Sequence, residues 1–145
     1  MSTASTHPPL DLDPTPATPI VLGTMAWGSV PPPPPDADPG AGPEGPAGAA
    51  QAEAAVERAR RALRAGIEAG VDLLDTADIY GAGRSEETVG RLLHELPYEE
   101  RSALKVQTKC GIVLHETDPA GRRLTRYDSS PEHVRASLEL SLIHI

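Results

Sequence analysis

An acid, a phenol and an ammonium stand close to the ends of two successive apolar runs. They are Asp75 and Tyr80 in DTADIYGAGRSEETVG (residues 75–90) and Lys109 in VQTKCG (residues 106–111). Proton delivery to a carbonyl oxygen needs these three types of group. A free phenol, with a pKa of about 10, is too weak an acid near neutrality. A nearby ammonium favours the phenolate and strengthens the acid, and a carboxylate holds that ammonium charged and in place. The chemistry makes Tyr80 the proton donor, Lys109 its activator and Asp75 the group that orients Lys109.

The elements that must position them follow from local pattern. Ile20-Val21-Leu22, ended by Gly23, suits a short buried strand. From Glu53 the apolar positions Ala55, Ala59, Ala62, Leu63, Gly66 and Ile67 recur at helical spacing, Glu57 and Arg61 are spaced for an i,i+4 pair, and Gly70 fits the C′ position. Residues 71–75 read as a second buried strand. Ser85 is placed to cap a second helix, with Glu86 and Glu87 in its first turn, an apolar stripe of Val89, Leu92, Leu93 and Leu96, and Pro97 as its stop. Residues 104–108 form a third expected strand. Ser130-Pro131-Glu132 opens a third helix whose inner face should carry Val134 and Leu138. Alternating strands and crossover-length helices imply an α/β fold with parallel strands, either a doubly wound sheet or a barrel.

The motif D-T-A-D-I-Y-G, then G-x-S-E-E, V-G before L-L, and T-K-x-G after the next strand resembles the aldo/keto reductase family over about residues 20–141. The resemblance implies the N-terminal portion of a (β/α)8 TIM barrel, incomplete in this chain, because a closed barrel takes roughly 250 residues. It implies an NADPH-dependent oxidoreductase that reduces an aldehyde or ketone to an alcohol, with Asp75, Tyr80 and Lys109 catalytic. Gly23, Thr24, Met25 and Asp75 are assigned to the nicotinamide side of the cofactor pocket. Trp27 has two readings, a wall of the substrate pocket or a core residue. The resemblance gives Glu86 a structural role. The same branch resembles cytoplasmic β-subunits of potassium channels, so a non-catalytic regulatory subunit is the alternative. The family's fourth catalytic group, a His ending a fourth strand, has no counterpart, since His144 belongs at a helix end. Residues 140–145 match the translation of a transposon-derived sequencing adapter and are expected to be a non-native tail. With the second half of the cofactor site absent, a polypeptide of these residues alone is expected to be inactive.

Composition narrows the classes. The chain has 145 residues and a formal net charge of −8, with no Lys or Arg among residues 1–50, which hold 13 of the 16 prolines. An acidic chain without a basic stripe argues against a nucleic-acid partner. Residues 1–19 are polar and expected to be mobile, and the Pro/Gly/Ala-rich insert at 31–50 has too little apolar bulk to order itself. No apolar run approaches the roughly 18 residues of a membrane span. Without a recognisable signal or transit peptide, the expected compartment is the cytoplasm. No histidine shares metal-ligand spacing with Cys110, which reads as a small buried thiol. Arg122, Arg123 and Arg126 read as a solvated loop cluster. The six-residue spacing after Gly81 and Gly83 ends in Glu86, so the Rossmann fingerprint is absent. The expected partner is a small carbonyl substrate.

Overall fold

The computed structural model describes residues 20–30, 45–117 and 123–145. The expectations for residues 1–19, for 31–44 of the insert and for Arg122 lie outside them.

Three short parallel strands form a sheet in the order β1 (Leu22–Gly23), β2 (Leu73–Asp75), β3 (Lys105–Gln107). Leu22 pairs with Leu74, and Leu74 with Val106. Backbone hydrogen bonds continue beyond the strands, from Thr24 N to Asp75 O (3.0 Å), Thr76 N to Gln107 O (2.9 Å) and Asp78 N to Lys109 O (3.1 Å). The three segments that follow the strands are therefore tied side by side. β1 is shifted from its expected span, because only Leu22 and Gly23 reach β2, and Ile20 and Val21 are exposed.

The helix α1 (Pro46–Glu68) connects β1 to β2. It starts well before Glu53 and takes in the end of the insert. Pro46 stands at its first position, where proline's fixed φ and missing N–H do no harm, and the run of alanines that follows propagates the helix. At its C-terminus Gly70 N bonds Ile67 O and Val71 N bonds Gly66 O, both at 2.9 Å, a Schellman closure that needs the positive φ of Gly70. Ala55, Ala59 and Leu63 are buried on its inner face, as the spacing predicts. Glu57 pairs with Arg60 and not with Arg61, because Arg60 faces the next helix and also bonds Glu95 Oε2 at 2.7 Å.

The helix α2 (Arg84–Glu95) buries Val89, Leu92 and Leu93 against Leu63, Leu74 and Trp27. Full burial of one such side chain contributes about 1.5–3 kcal/mol, so this stripe is the main attachment of the helix. Pro97 ends α2 and opens a six-residue helix, α3 (Tyr98–Ala103), that the sequence reading lacks.

After β3 a two-stranded antiparallel hairpin, β4 (Ile112–Thr117) and β5 (Arg123–Tyr127), replaces the expected loop. The last helix, α4 (Pro131–His144), starts as predicted, with His133 N donating to Ser130 Oγ at 3.3 Å. Its inner face differs from expectation. Ser137 and Ser141 are buried, whereas Val134 and Leu138 are 41% and 53% exposed. The helix packs on α2, where small hydroxylated residues permit close approach: Ser141 Oγ donates to Glu86 Oε1 at 2.7 Å. Residues 140–144 continue α4 without a break, and Ile145 packs against the core.

Candidate active site

The site lies where the parallel strands end. Asp75 is the last residue of β2, and Lys109 follows β3 by two residues. Lys109 Nζ donates to Asp75 Oδ1 at 2.7 Å and to the carbonyl of Thr76 at 2.8 Å. Gln107 Nε2 donates to the same Asp75 oxygen at 3.0 Å. Lys109 Nζ also stands 5.0 Å from the centroid of the Tyr80 ring. The structure thus brings together the three groups that the sequence singled out. Burial pulls the Lys109 ammonium down, but hydrogen bonding and charge from Asp75 and Tyr80 outweigh it and hold the group above the ordinary lysine value.

The loop carrying Tyr80 is fixed at both ends. Tyr80 N bonds Ala77 O at 3.0 Å, and Ser85 N bonds Tyr80 O at 3.2 Å. Gly81, Ala82 and Gly83 all have positive φ, which turns the chain sharply from the site into α2. Ser85 is not the helix cap. Gly83 holds that position in a left-handed conformation, and Ser85 is fully buried with its hydroxyl donating to Thr24 O at 2.8 Å.

Besides Asp75, the three β1-end residues placed on the cofactor side divide. Thr24 is fully buried, its N–H and hydroxyl both bonded to Asp75 O, so its side chain clasps the strands and offers nothing to a ligand. Met25 is 66% exposed, and a methyl group added at Gly23 would meet nothing within 4 Å. Among the described residues, the end of β1 beside Asp75 is therefore an open ledge. Trp27 is buried in the core cluster and belongs to the core, not to a pocket wall. Glu86 has the structural role expected of it: fully buried in α2, its Oε1 accepts from Thr108 Oγ1 at 2.7 Å and joins the helix to the end of β3. Cys110 is exposed, contrary to expectation, since it lies past the end of β3 in the connection to the hairpin. His144 stands at the end of α4, near Glu86 and Glu87.

A cavity of about 360 Å³ opens beside the triad, with Tyr80 and Lys109 in its wall. The hairpin's Tyr127 borders it as well. Sequence reading set Tyr127 aside because no lysine accompanies it locally; only the hairpin, a non-local pairing, returns it to Lys109. Among the described residues no cluster of His, Cys, Asp or Glu could hold a metal, and no helix is long and apolar enough to cross a membrane.

The model of the aldo/keto reductase family matches residues 19–144. An uncharacterised oxidoreductase of Bacillus subtilis is 37% identical over 79 residues, covering 54% of this chain and 26% of that protein. An NADH-specific methylglyoxal reductase of Escherichia coli is 39% identical over 77 residues, covering 50% of this chain and 23% of that protein. The glycerol dehydrogenase structure from Gluconobacter oxydans superposes with a TM-score of 0.55 at 28% identity, covering 86% of this chain and 31% of that one. The chain therefore spans about a quarter to a third of the length of these relatives, and its strands and helices form part of a (β/α)8 barrel.

Proposed function

The chain belongs to the aldo/keto reductase family, and from that premise we propose that it carries the proton-delivering part of a site that reduces an aldehyde or ketone to an alcohol with NADPH. The observation that carries this reading is the 2.7 Å contact of Lys109 with Asp75 while the same ammonium faces the Tyr80 ring. When bound, NADPH would supply the hydride. Gly23 and Met25, on the open ledge beside Asp75, would hold its nicotinamide end.

Tyr80 gives its hydroxyl proton to the carbonyl oxygen as negative charge develops there. Lys109 stays protonated throughout and stabilises the phenolate left behind. Asp75, with Thr76 O, fixes the ammonium so that it does not have to reorganise as the charge moves. The positioned acid contributes about 10²–10⁴-fold in rate.

Residues 1–145 alone should give neither cooperative unfolding nor turnover, because the sheet edges at β1 and β3 and the exposed Val134 and Leu138 need cover. The functional test is NADPH oxidation by the full protein with nitrobenzaldehyde, NADH being run in parallel. Turnover that Lys109→Met removes supports the reading. Turnover indifferent to Lys109 contradicts it.

A further inference from the structure

Gln107 is the register partner of Asp75 across β2 and β3. Successive side chains of a strand point to opposite faces of a sheet. Leu74 and Thr76 are buried, Val106 packs on the core cluster, and Thr108 donates to the buried Glu86. These four mark the face covered by helices. Asp75, Gln107 and Lys109 alternate with them and stand on the other face. The ladder that sets this alternation continues past the strands, from Thr76 N to Gln107 O and from Asp78 N to Lys109 O.

Gln107 Nε2 donates to Asp75 Oδ1 at 3.0 Å, the same oxygen that accepts from Lys109 Nζ at 2.7 Å. Among the described residues these are the two side-chain donors on that carboxylate. The last torsion of an aspartate is broad, and the lysine stem is flexible, so the ammonium alone does not fix the carboxylate. The amide adds a second donor from the β3 segment, and together the two hold Oδ1 turned toward it. Unlike the ammonium, the amide does not titrate, and its NH₂ group donates at any pH. Lys109 has a further anchor at Thr76 O, 2.8 Å away. Among the described residues Gln107 does not border the cavity beside Tyr80, so its route to the reacting atoms runs through Asp75.

We propose that Gln107 is a positioning residue of this site, whose amide holds the Asp75 carboxylate in the orientation that keeps Lys109 against the Tyr80 ring. The inference rests on the carbonyl-reductase reading for the effect on rate, and on the shared Asp75 oxygen alone for the positioning.

The test uses the full protein with nitrobenzaldehyde and NADPH. Gln107→Met keeps the length of the side chain and removes the donor. It should lower kcat about 10-fold, the worth of one hydrogen bond to a charged group, and leave KM unchanged. In an Asp75→Asn background the same substitution should cost nothing further, because its effect passes through the carboxylate. Gln107→Glu keeps the shape but sets a second carboxylate against Asp75, and should lose at least as much as Gln107→Met. Wild-type kcat in either variant overturns the proposal, and so does an equal loss from Gln107→Met with and without the Asp75 carboxylate. NMR relaxation of the Lys109 ammonium follows the positioning separately, with no cofactor or turnover involved, and should show a more mobile group in Gln107→Met. If the wild type turns over no aldehyde but Gln107→Met still loosens the ammonium, the reductase reading falls and the positioning role stands. Equal mobility in wild type and Gln107→Met overturns the positioning role even where turnover is normal.

Discussion

Ser85 Oγ donates to the carbonyl of Thr24, 61 residues earlier, at 2.8 Å, and lies 3.1 Å from Thr76 Oγ1. All three side chains are fully buried. One hydroxyl in the first turn of α2 therefore ties together the segments that follow β1 and β2, and the loop bearing Tyr80 is strung between that knot and the end of β2. The loop bearing Tyr80 is held by small buried hydroxyls and not by a helix cap.

Replacing Ser85 separates the two roles. Ser85→Ala leaves buried hydrogen-bonding groups unpaired and should cost about 1–3 kcal/mol in urea unfolding of the full protein. Ser85→Asp distinguishes knot from cap: a cap accepts aspartate well, whereas this site would bury an uncompensated carboxylate. The aspartate variant should be less stable than the alanine variant. If it is the more stable of the two, the buried knot is the wrong description.

The Lys109 ammonium makes a prediction about pH. Its folded value lies above the ordinary lysine value, so its contribution to stability is complete below the unfolded lysine pKa near 10.5 and is lost only as pH rises through the folded one. Lys109 should therefore keep its charge across neutral pH. Because the hydrogen bond and charge of Asp75 oppose desolvation most strongly, Asp75→Asn should move the Lys109 midpoint downward. An NMR titration of the lysine side-chain nitrogen reads this directly. An unmoved midpoint would show that Asp75 does not hold the ammonium.

Some of the fold was legible because its causes are local. The apolar stripe of α2 and the Schellman glycine at residue 70 follow from three- and four-residue spacing and from one positive φ. Asp75, Tyr80 and Lys109 were legible because short motifs place them at strand ends that parallel pairing then brings together. What sequence did not give depends on partners far away in the chain. Ser85 fits a cap until Thr24 arrives beside it, and Val134 and Leu138 look like an inner face until Ser137 and Ser141 prove to be the buried side against α2. The β4–β5 pairing, and with it the place of Tyr127, carries no local signal comparable to helical periodicity. Pro46 shows a different error, where proline-rich composition outweighed the fact that proline suits a helix's first position.

Close approach is testable at Gly28, which has φ +71°. A Cβ there would lie 2.7 Å from both the carbonyl oxygen of Arg84 and Thr88 Oγ1, so the turn after β1 sits directly on the start of α2. Gly28→Ala should destabilise the full protein by about 1–3 kcal/mol, through strain and contact with backbone. It should also weaken turnover more than unfolding alone explains, since it pushes α2 away from the site. Wild-type stability in the alanine variant would mean that this contact is looser than described.

The most direct measurement is steady-state reduction of nitrobenzaldehyde by the full protein and its Tyr80→Phe variant, with NADPH binding followed in both. Loss of the single hydroxyl should lower kcat by about 10²–10⁴-fold, while cofactor binding remains at the wild-type level. A Tyr80→Phe enzyme that keeps its kcat would contradict the assignment of Tyr80 as proton donor, and with it the role given to Lys109 and Asp75.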